Sequence, residues 1–208
     1  MQKKDNKERE ILLAAEKMFA QKGFKGATTT LIASEAGVTH AMLHYYFRTK
    51  EQIFLKVFDS YVCEVWNSLK AIMVPEFYDV EVVRKVTEIF FDFFSTHKGQ
   101  ASLFMEVARD RPDLLQTYTS QFGRYMGSMV SAHRERTERA VKEGLIKEID
   151  FSNLFLDIIM VCTAPLFFEP VVVNLGKKDS RQMKEFMETR KKEAVEMIAG
   201  RLQINALR

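Results

Sequence analysis

Residues 28 to 50 constrain the fold of this chain more than any other segment, because their spacing is typical of two short helices joined by a tight turn. The small residue Ala33 lies where such helices cross closely, and Gly37 follows where the chain must turn through a left-handed conformation. Thr39 is then well placed to cap the second helix. The pattern predicts a helix-turn-helix, whose second helix can enter the major groove of DNA.

Apolar residues around this segment predict the scaffold that the two short helices need. Residues 11–19 carry apolar side chains at helical spacing, and their helix is predicted to end at Lys22-Gly23. Phe24 and Phe47, which lie in the two connections, are predicted to fill a small core. We therefore predict a compact helix-turn-helix domain over residues 1–48.

The rest of the chain, residues 49–208, predicts further helices and lacks the alternation of paired strands. Thr49 and Gln52 fit a capping box at the start of the first of these helices. Later helices are predicted between Pro, Gly and Ser residues, over about 80–96, 100–109, 112–144, 152–174 and 180–202. Pro165 is expected to kink the fourth of these, and Ser180 to cap the last. The predicted fold class is all-α.

Positive charge is concentrated at the N-terminal end of the chain. Residues 1–50 contain nine Lys or Arg and five Asp or Glu, whereas the remaining residues contain 22 and 23. An excess of positive charge suits contact with the phosphates of a nucleic acid. A solvated lysine-rich tail explains the same count, so the charge supports the helix-turn-helix prediction only together with the spacing.

The helix-turn-helix segment also carries a recognisable set of residues. In chain order these are Thr28-Thr29, Ile32-Ala33, Ala36-Gly37-Val38-Thr39, Ala41, Leu43-His44, Tyr46-Phe47, Thr49-Lys50-Glu51 and Ile53. With them, the stretch from Gly23 to Ile53 resembles the DNA-binding domain of the tetracycline-repressor (TetR) family of bacterial transcription regulators. Thr39 and Ala41 replace the family's Ser and Gly but keep the cap and the small size. His44 and Tyr46 replace Tyr and His on the presumed reading helix, so they leave the operator sequence open.

The resemblance implies which side chains face double-stranded DNA. By position in the shared motif these are Thr29, Thr39, His40, Met42, His44, Tyr45, Tyr46 and Lys50. Thr29, Thr39 and Lys50 are expected to contact phosphates. His40, Met42 and His44 are better placed for bases, and Met42 can touch a thymine methyl group.

Aromatic and methionine side chains are dense in the second domain. The whole chain contains 17 Phe. For any one of them a plain helical core is the simpler explanation, although rings and thioethers can also line a cavity for apolar molecules. In the resembling family this region forms a pocket for a small effector. The expected lining residues are Phe94, Phe104, Tyr118, Phe122, Tyr125, Phe155 and Ile159. A charged effector could be neutralised by Glu106, Arg109, Asp110 or Asp157, but surface salt bridges are the simpler explanation for these residues.

The last two predicted helices suggest a homodimer. The helix from Ser152 is apolar nearly all round, and the last helix carries Met183, Met187, Ala194, Ile198 and Leu202 in helical register. Such faces form either an intramolecular core or a four-helix bundle with a symmetry mate. In the resembling family these helices make the homodimer, so the resemblance favours the second arrangement.

Two pairs of residues could indicate metal or redox chemistry. His40 and His44 are four positions apart on one helix, a spacing that can chelate a metal ion. Ala41 replaces the Glu that a zinc-protease motif requires, and no third ligand is evident, so neither a metal site nor a cofactor is predicted. Cys63 and Cys162 match no metal or redox motif and are interpreted as two buried, reduced thiols, with a redox switch as the alternative.

These observations favour a ligand-responsive transcription regulator over an enzyme. We predict a repressor that a small apolar or aromatic effector releases from a palindromic operator. The alternative is an all-helical enzyme or binding protein for a lipid-like substrate, but the sequence lacks a nucleophile motif or a phosphate loop. An architectural DNA binder without an effector would need a solid C-terminal core. We expect a cytoplasmic protein, because no signal peptide is visible and the longest uncharged run of the most apolar region, 158–168, is too short to span a bilayer.

Overall fold

The computed structural model describes residues 2–70, 79–177 and 179–203, and within these ranges it contains helices and no strand. The helices are α1 (Gln2–Gly26), α2 (Thr29–Glu35), α3 (His40–Tyr46), α4 (Lys50–Lys70), α5 (Val80–Thr96), α6 (Lys98–Asp110), α7 (Pro112–Lys142), α8 (Phe151–Phe167), α9 (Glu169–Gly176) and α10 (Ser180–Leu202). The all-α prediction is confirmed.

The helices form two compact units. The N-terminal unit comprises Met1–Glu64 and Lys98–Arg124, and the C-terminal unit comprises Val65–His97 and Tyr125–Arg208. The N-terminal unit extends beyond the predicted domain of residues 1–48 because α6 packs along α1. The division at residue 48 stays a prediction about function, since the packing unit need not coincide with the part that binds DNA.

Aromatic rings fill the core of the N-terminal unit. Phe24 and Phe47 are both buried, as predicted from their places in the two connections. The ring centroid of Phe54 lies 6.0 Å from that of Phe19 and 5.3 Å from that of Phe24, both in edge-to-face geometry. Such pairs each contribute about 0.5–1.5 kcal/mol beyond the area that they bury. This core gives α2 and α3 the support that short helices lack alone.

The first helix is interrupted at Gly23, where two helical segments meet at a kink. Gly23 has φ 69° and ψ 176°, and the helix then resumes as far as Gly26. The predicted end at Lys22-Gly23 therefore coincides with the break in the helix, and only one short turn follows it. The backbone N–H groups of Phe24 and Lys25 donate to the carboxylate of Glu106 at 2.9 and 3.0 Å. These bonds stabilise the restart because they satisfy donors that the bend removes from the helical ladder.

In the C-terminal unit, α5, α8 and α10 pack against one another. Ala194, Ile198 and Leu202 lie in the apolar core of this unit, where each is at most 3% exposed. The prediction that these residues form a dimer face is wrong, and the intramolecular alternative is correct for them. The reason is that α5 covers the apolar stripe of α10 within the same chain.

Both cysteines have free thiols. Cys162 is fully buried, and burial raises the pKa of its thiol to about 12. Its sulfur lies 3.5 Å from the carbonyl oxygen of Thr87, to which it donates. Burial also raises the pKa of the half-buried Cys63 thiol. The interpretation as buried thiols is therefore confirmed for Cys162 and only in part for Cys63. Because the thiolate is the reactive form, a raised pKa lowers the reactivity of a thiol at neutral pH.

Two boundaries near the end of the chain differ from prediction. The predicted break at Pro165 occurs instead at Phe168, between α8 and α9, because Pro170 suits the first turn of a new helix. The last helix is capped by Asp179 and not by Ser180, since Asp179 and Gln182 form a reciprocal capping box.

No single helix in the described residues is long and apolar enough to cross a membrane. The pair α8 and α9, bent by 49°, passes that test only when the two helices are taken together, by length and composition.

Candidate nucleic-acid interface

The turn between α2 and α3 has the predicted geometry. Gly37 adopts a left-handed conformation with φ 63°. Its N–H donates to the Ser34 carbonyl at 3.2 Å, and the N–H of Val38 donates to the Ala33 carbonyl at 3.0 Å. These bonds satisfy carbonyls at the end of α2 and fix the angle at which the chain enters α3.

A single buried residue anchors α3. Leu43 is fully buried, and the other residues of this helix are exposed or half-buried. The hydroxyl of Thr39 caps the helix, because it accepts the N–H of Met42 at 3.1 Å. Leu43 thus holds the buried side of the helix and Thr39 holds its start, and the rest of the helix surface is open to a partner.

Most of the predicted DNA-facing side chains lie on that open surface. Thr39, His40 and His44 are exposed, Met42 is 41% exposed and Tyr45 is 72% exposed. Exposed apolar and aromatic side chains next to one another commonly mark an interaction surface. These are the residues that sequence reasoning assigned to DNA contact. Their assignment to particular bases or phosphates stays a prediction.

Thr29, Tyr46 and Lys50 are only half-buried and contact other parts of the unit. The hydroxyl of Thr29 lies 3.0 Å from Nε2 of His40, so the start of α2 contacts the start of α3. The ring of Tyr46 packs edge-to-face with that of Tyr45 at 5.4 Å between centroids. All three therefore have structural contacts beside the DNA contacts predicted for them.

Lys50 has the strongest of these internal contacts. Its ammonium donates to the Phe24 carbonyl at 2.6 Å and lies 4.3 Å from the centroid of the Phe24 ring. Burial lowers the pKa of this ammonium, although the carboxylates of Glu51 and Glu106 oppose the shift. Lys50 thus fastens the start of α4 to the bend of α1, and its predicted phosphate contact would require it to leave this position.

Glu106 is a functional candidate that the sequence suggested only as a partner for a charged ligand or, more simply, as part of a surface salt bridge. Its carboxylate instead holds the two N–H groups after the bend at Gly23. A side chain at position 23 would collide with this carboxylate, since a Cβ built there overlaps Glu106. Gly23 is a signal in the sequence for the bend, but nothing local points to Glu106, which lies 82 positions after Phe24. The remaining charged candidates form the salt bridges Arg109–Asp110 and Arg201–Asp157.

The structure places the predicted effector-contacting residues in two aromatic clusters. In the N-terminal unit, Phe58 stacks on Phe104 at 5.5 Å and meets the edge of Tyr118 at 4.8 Å. In the C-terminal unit, the ring of Phe90 lies 6.0 Å from Phe94 and 6.2 Å from Phe155. Phe58 and Phe90 are thus additional members that link the predicted ones.

Three further residues of that prediction complete its placement. Ile159 is half-buried against the core of the C-terminal unit. Phe122 and Tyr125 lie in α7, but their side chains are outside the described part of the structure.

Comparison with known proteins matches the helix-turn-helix. Residues 11–57 match the sequence profile of the bacterial regulatory proteins, tetR family. The uncharacterised HTH-type transcriptional regulator YhgD of Bacillus subtilis is 29% identical over 140 residues, which cover 67% of this chain and 72% of YhgD. The HTH-type transcriptional regulator EthR of Mycolicibacterium smegmatis is 23% identical over 136 residues, covering 64% of this chain and 63% of EthR.

Solved structures share the fold over nearly the whole chain. The transcriptional regulator FadR from Bacillus subtilis, solved in complex with stearoyl-CoA, has a TM-score of 0.67 at 18% identity and covers 94% of this chain and 99% of its own. The fatty acid degradation regulator FadR from Bacillus halodurans has a TM-score of 0.66 at 17% identity, with 91% and 94% covered. At these identities the likeness concerns the fold alone.

The two roles of Lys50 can be separated by measurement. If Lys50 contacts a phosphate, Lys50→Ala should weaken binding to all DNA sequences alike and lower the salt slope by about one unit. Loss of the Phe24 contacts should also lower the free energy of unfolding by roughly 1 kcal/mol. Lys56→Ala is the matched control, because Lys56 lies exposed on the same helix. A Lys50→Ala variant with reduced stability and an unchanged salt slope would show that Lys50 is structural only.

Proposed function

This chain belongs to the tetR family of bacterial regulatory proteins and is a DNA-binding regulator of transcription, and on this premise we propose that it is a repressor. In this proposal, a homodimer in the cytoplasm occupies a palindromic operator, and a small apolar or aromatic effector releases it. The observation that carries the proposal is α3, a reading helix anchored by Leu43 alone with its other side chains at or near the surface.

The exposed side chains of α3 suit the reading of base edges. The imidazoles of His40 and His44 can donate or accept hydrogen bonds, according to which ring nitrogen carries the proton. The thioether of Met42 offers an apolar contact for a thymine methyl group. Thr39 lies at the start of the helix, where its hydroxyl and the free backbone N–H groups suit a phosphate.

An apolar surface on the C-terminal unit is a better candidate for the dimer face than the predicted one. On α8, Leu156 is 56% exposed, Met160 is 52% exposed and Phe167 is 38% exposed, and their spacing puts them along one side of the helix. Met197 on the adjacent α10 is 57% exposed. Exposed apolar residues on two neighbouring helices suit a self-complementary contact with a second copy.

A double substitution on α8 tests this dimer face. Leu156→Glu with Met160→Glu should convert the dimer to a monomer, because it places charges in an apolar interface, and specific DNA binding should be lost with it. Leu13→Glu is the matched control, since Leu13 is also 56% exposed but lies on α1. Sedimentation equilibrium gives the mass of each variant. A wild-type monomer, or a double variant that remains dimeric, would contradict the proposed face.

A continuous row of rings in the N-terminal unit offers a path for the effector's influence. Phe104 stacks on Phe58, Phe58 lies 5.8 Å from Phe54, and Phe54 lies 5.3 Å from Phe24. Phe104 is 36% exposed and can therefore be reached by a ligand. We propose that an effector that displaces Phe104 shifts this row and with it the bend of α1.

Such a shift needs to be only small. Two reading helices must meet successive major grooves about 34–36 Å apart, so a displacement of a few ångströms in each subunit disturbs their register. A tenfold loss of operator affinity requires about 1.4 kcal/mol of coupling. The effector must therefore prefer the state that does not bind DNA by that amount.

Stearoyl-CoA is a suitable first probe, because the structure of FadR from Bacillus subtilis, which is 18% identical to this chain, was solved in complex with it. We expect it, or another ligand with a long apolar chain, to lower operator affinity at least about tenfold in a titration followed by fluorescence anisotropy. Phe104→Ala should weaken this effect. Phe168→Ala serves as the control, since Phe168 is exposed but lies on the other unit.

Two outcomes would contradict the effector proposal. One is a ligand that binds tightly and leaves operator affinity unchanged. The other is conversion of the ligand into a product, which would favour an enzyme.

A further inference from the structure

We propose that His40 and His44 form a binding site for a divalent transition-metal ion on the reading helix, and that this ion competes with DNA. The competition rests on the proposed DNA contacts of α3, whereas the site itself rests on side-chain geometry alone. Both rings are exposed, so an ion can reach them from solvent.

The distance between the two imidazoles suits metal binding. Nε2 of His40 lies 3.2 Å from Nε2 of His44, and the ring centroids are 4.3 Å apart. Two nitrogen ligands with Zn–N bonds of about 2.0–2.1 Å at a tetrahedral angle lie about 3.3 Å apart. The helix therefore already holds two donor atoms at the separation of one edge of a zinc tetrahedron.

A backbone contact fixes the tautomer of His44 in the form that a metal needs. Nδ1 of His44 lies 3.2 Å from the carbonyl oxygen of Arg48. A carbonyl only accepts, so Nδ1 carries the proton, and in the neutral ring Nε2 has a free lone pair. Metal-bound histidines typically donate their second ring nitrogen in this way, which orients the ring and raises its basicity.

The contacts of His40 allow the same form. Its Nε2 faces both His44 and the Thr29 hydroxyl, which lies 3.0 Å away. Without a metal, a proton on His40 Nε2 can bridge to the lone pair of His44. When an ion takes that place, the proton moves to Nδ1 of His40, so that both Nε2 atoms become ligands.

The donor set indicates the class of ion. Imidazole nitrogen suits Zn²⁺, Cu²⁺ and Ni²⁺, whereas Mg²⁺ and Ca²⁺ prefer oxygen ligands. In the part of the chain that the structure describes, no group of three or more His, Cys, Asp or Glu side chains could hold a metal. Water would therefore complete the coordination, and the site would exchange its ion with solvent.

Occupation of this site changes what α3 can offer to DNA. A coordinated Nε2 has no lone pair or proton left for a base edge, and both rings are held together over the ion. Because His40 and His44 are proposed base contacts, metal and operator should each weaken the binding of the other by the same factor.

The site can be tested without DNA. The full chain, freed of metal with a chelator, is titrated with Zn²⁺ against a chromophoric chelator, together with His40→Gln, His44→Gln and His97→Gln. Each of the first two should lower zinc affinity about tenfold or more, since a lost ligand should matter at least as much as a lost outer contact. His97→Gln should not, because His97 lies in the C-terminal unit, next to Phe93. Circular dichroism confirms that each variant is folded. Equal zinc affinity in all four proteins would overturn the site.

A second arm tests the competition. Operator DNA, obtained by selection from a random library, is titrated with the protein first in chelator and then in Zn²⁺ or Mg²⁺. We expect Zn²⁺ to lower the DNA affinity of the wild-type protein and to lower that of His44→Gln less. Mg²⁺ should leave the DNA affinity of both proteins unchanged. Unchanged or higher affinity in Zn²⁺ would overturn the competition. Absence of specific DNA binding even in chelator would overturn the proposed repressor function, while the zinc site would still be judged by the first arm.

Discussion

The ring of Phe24 packs against Phe54, while its N–H donates to Glu106 and its carbonyl accepts from Lys50. Phe24, which directly follows the bend of α1, is thereby fastened to α4 and α6. The proposed reading helix, α3, depends on this junction, because it has seven residues and is too short to be stable alone. Leu43 and the Thr39 cap can hold α3 in one orientation only if the helices beneath it stay fixed.

Local spacing in the sequence predicted the parts of the interface that local chemistry determines. The left-handed Gly37, the cap at Thr39 and the buried Leu43 each follow from residues within one or two turns. Contacts between distant segments could not be predicted in this way. Periodicity places Ile198 on an apolar face of its helix, but it does not show that α5 covers this face. It also gives no sign that Glu106 contacts the bend at Gly23.

The exposure on which the proposed reading of DNA by α3 rests also leaves its side chains open to other partners. His40 and His44 are close enough to share a proton or an ion, and Thr29 joins them from α2. The proposed effector would act elsewhere in the N-terminal unit, through Phe104 and the rings that lead to Phe24. The two proposed modes of regulation therefore act by different mechanisms. A metal would occupy the reading surface itself, whereas an apolar effector would move the support on which that surface rests.

The central claim is that exposed residues of α3 read a specific sequence in pairs of major grooves. Selection of DNA from a random library by the full chain, followed by sequencing, tests this claim most directly. The account predicts enrichment of two inverted half-sites with centres about 34–36 Å apart or somewhat more, which corresponds to roughly one helical turn of DNA. It also predicts that His44→Ala changes the preferred base at one position in each half-site. A library that returns no enriched sequence, with binding that depends on salt alone, would contradict it.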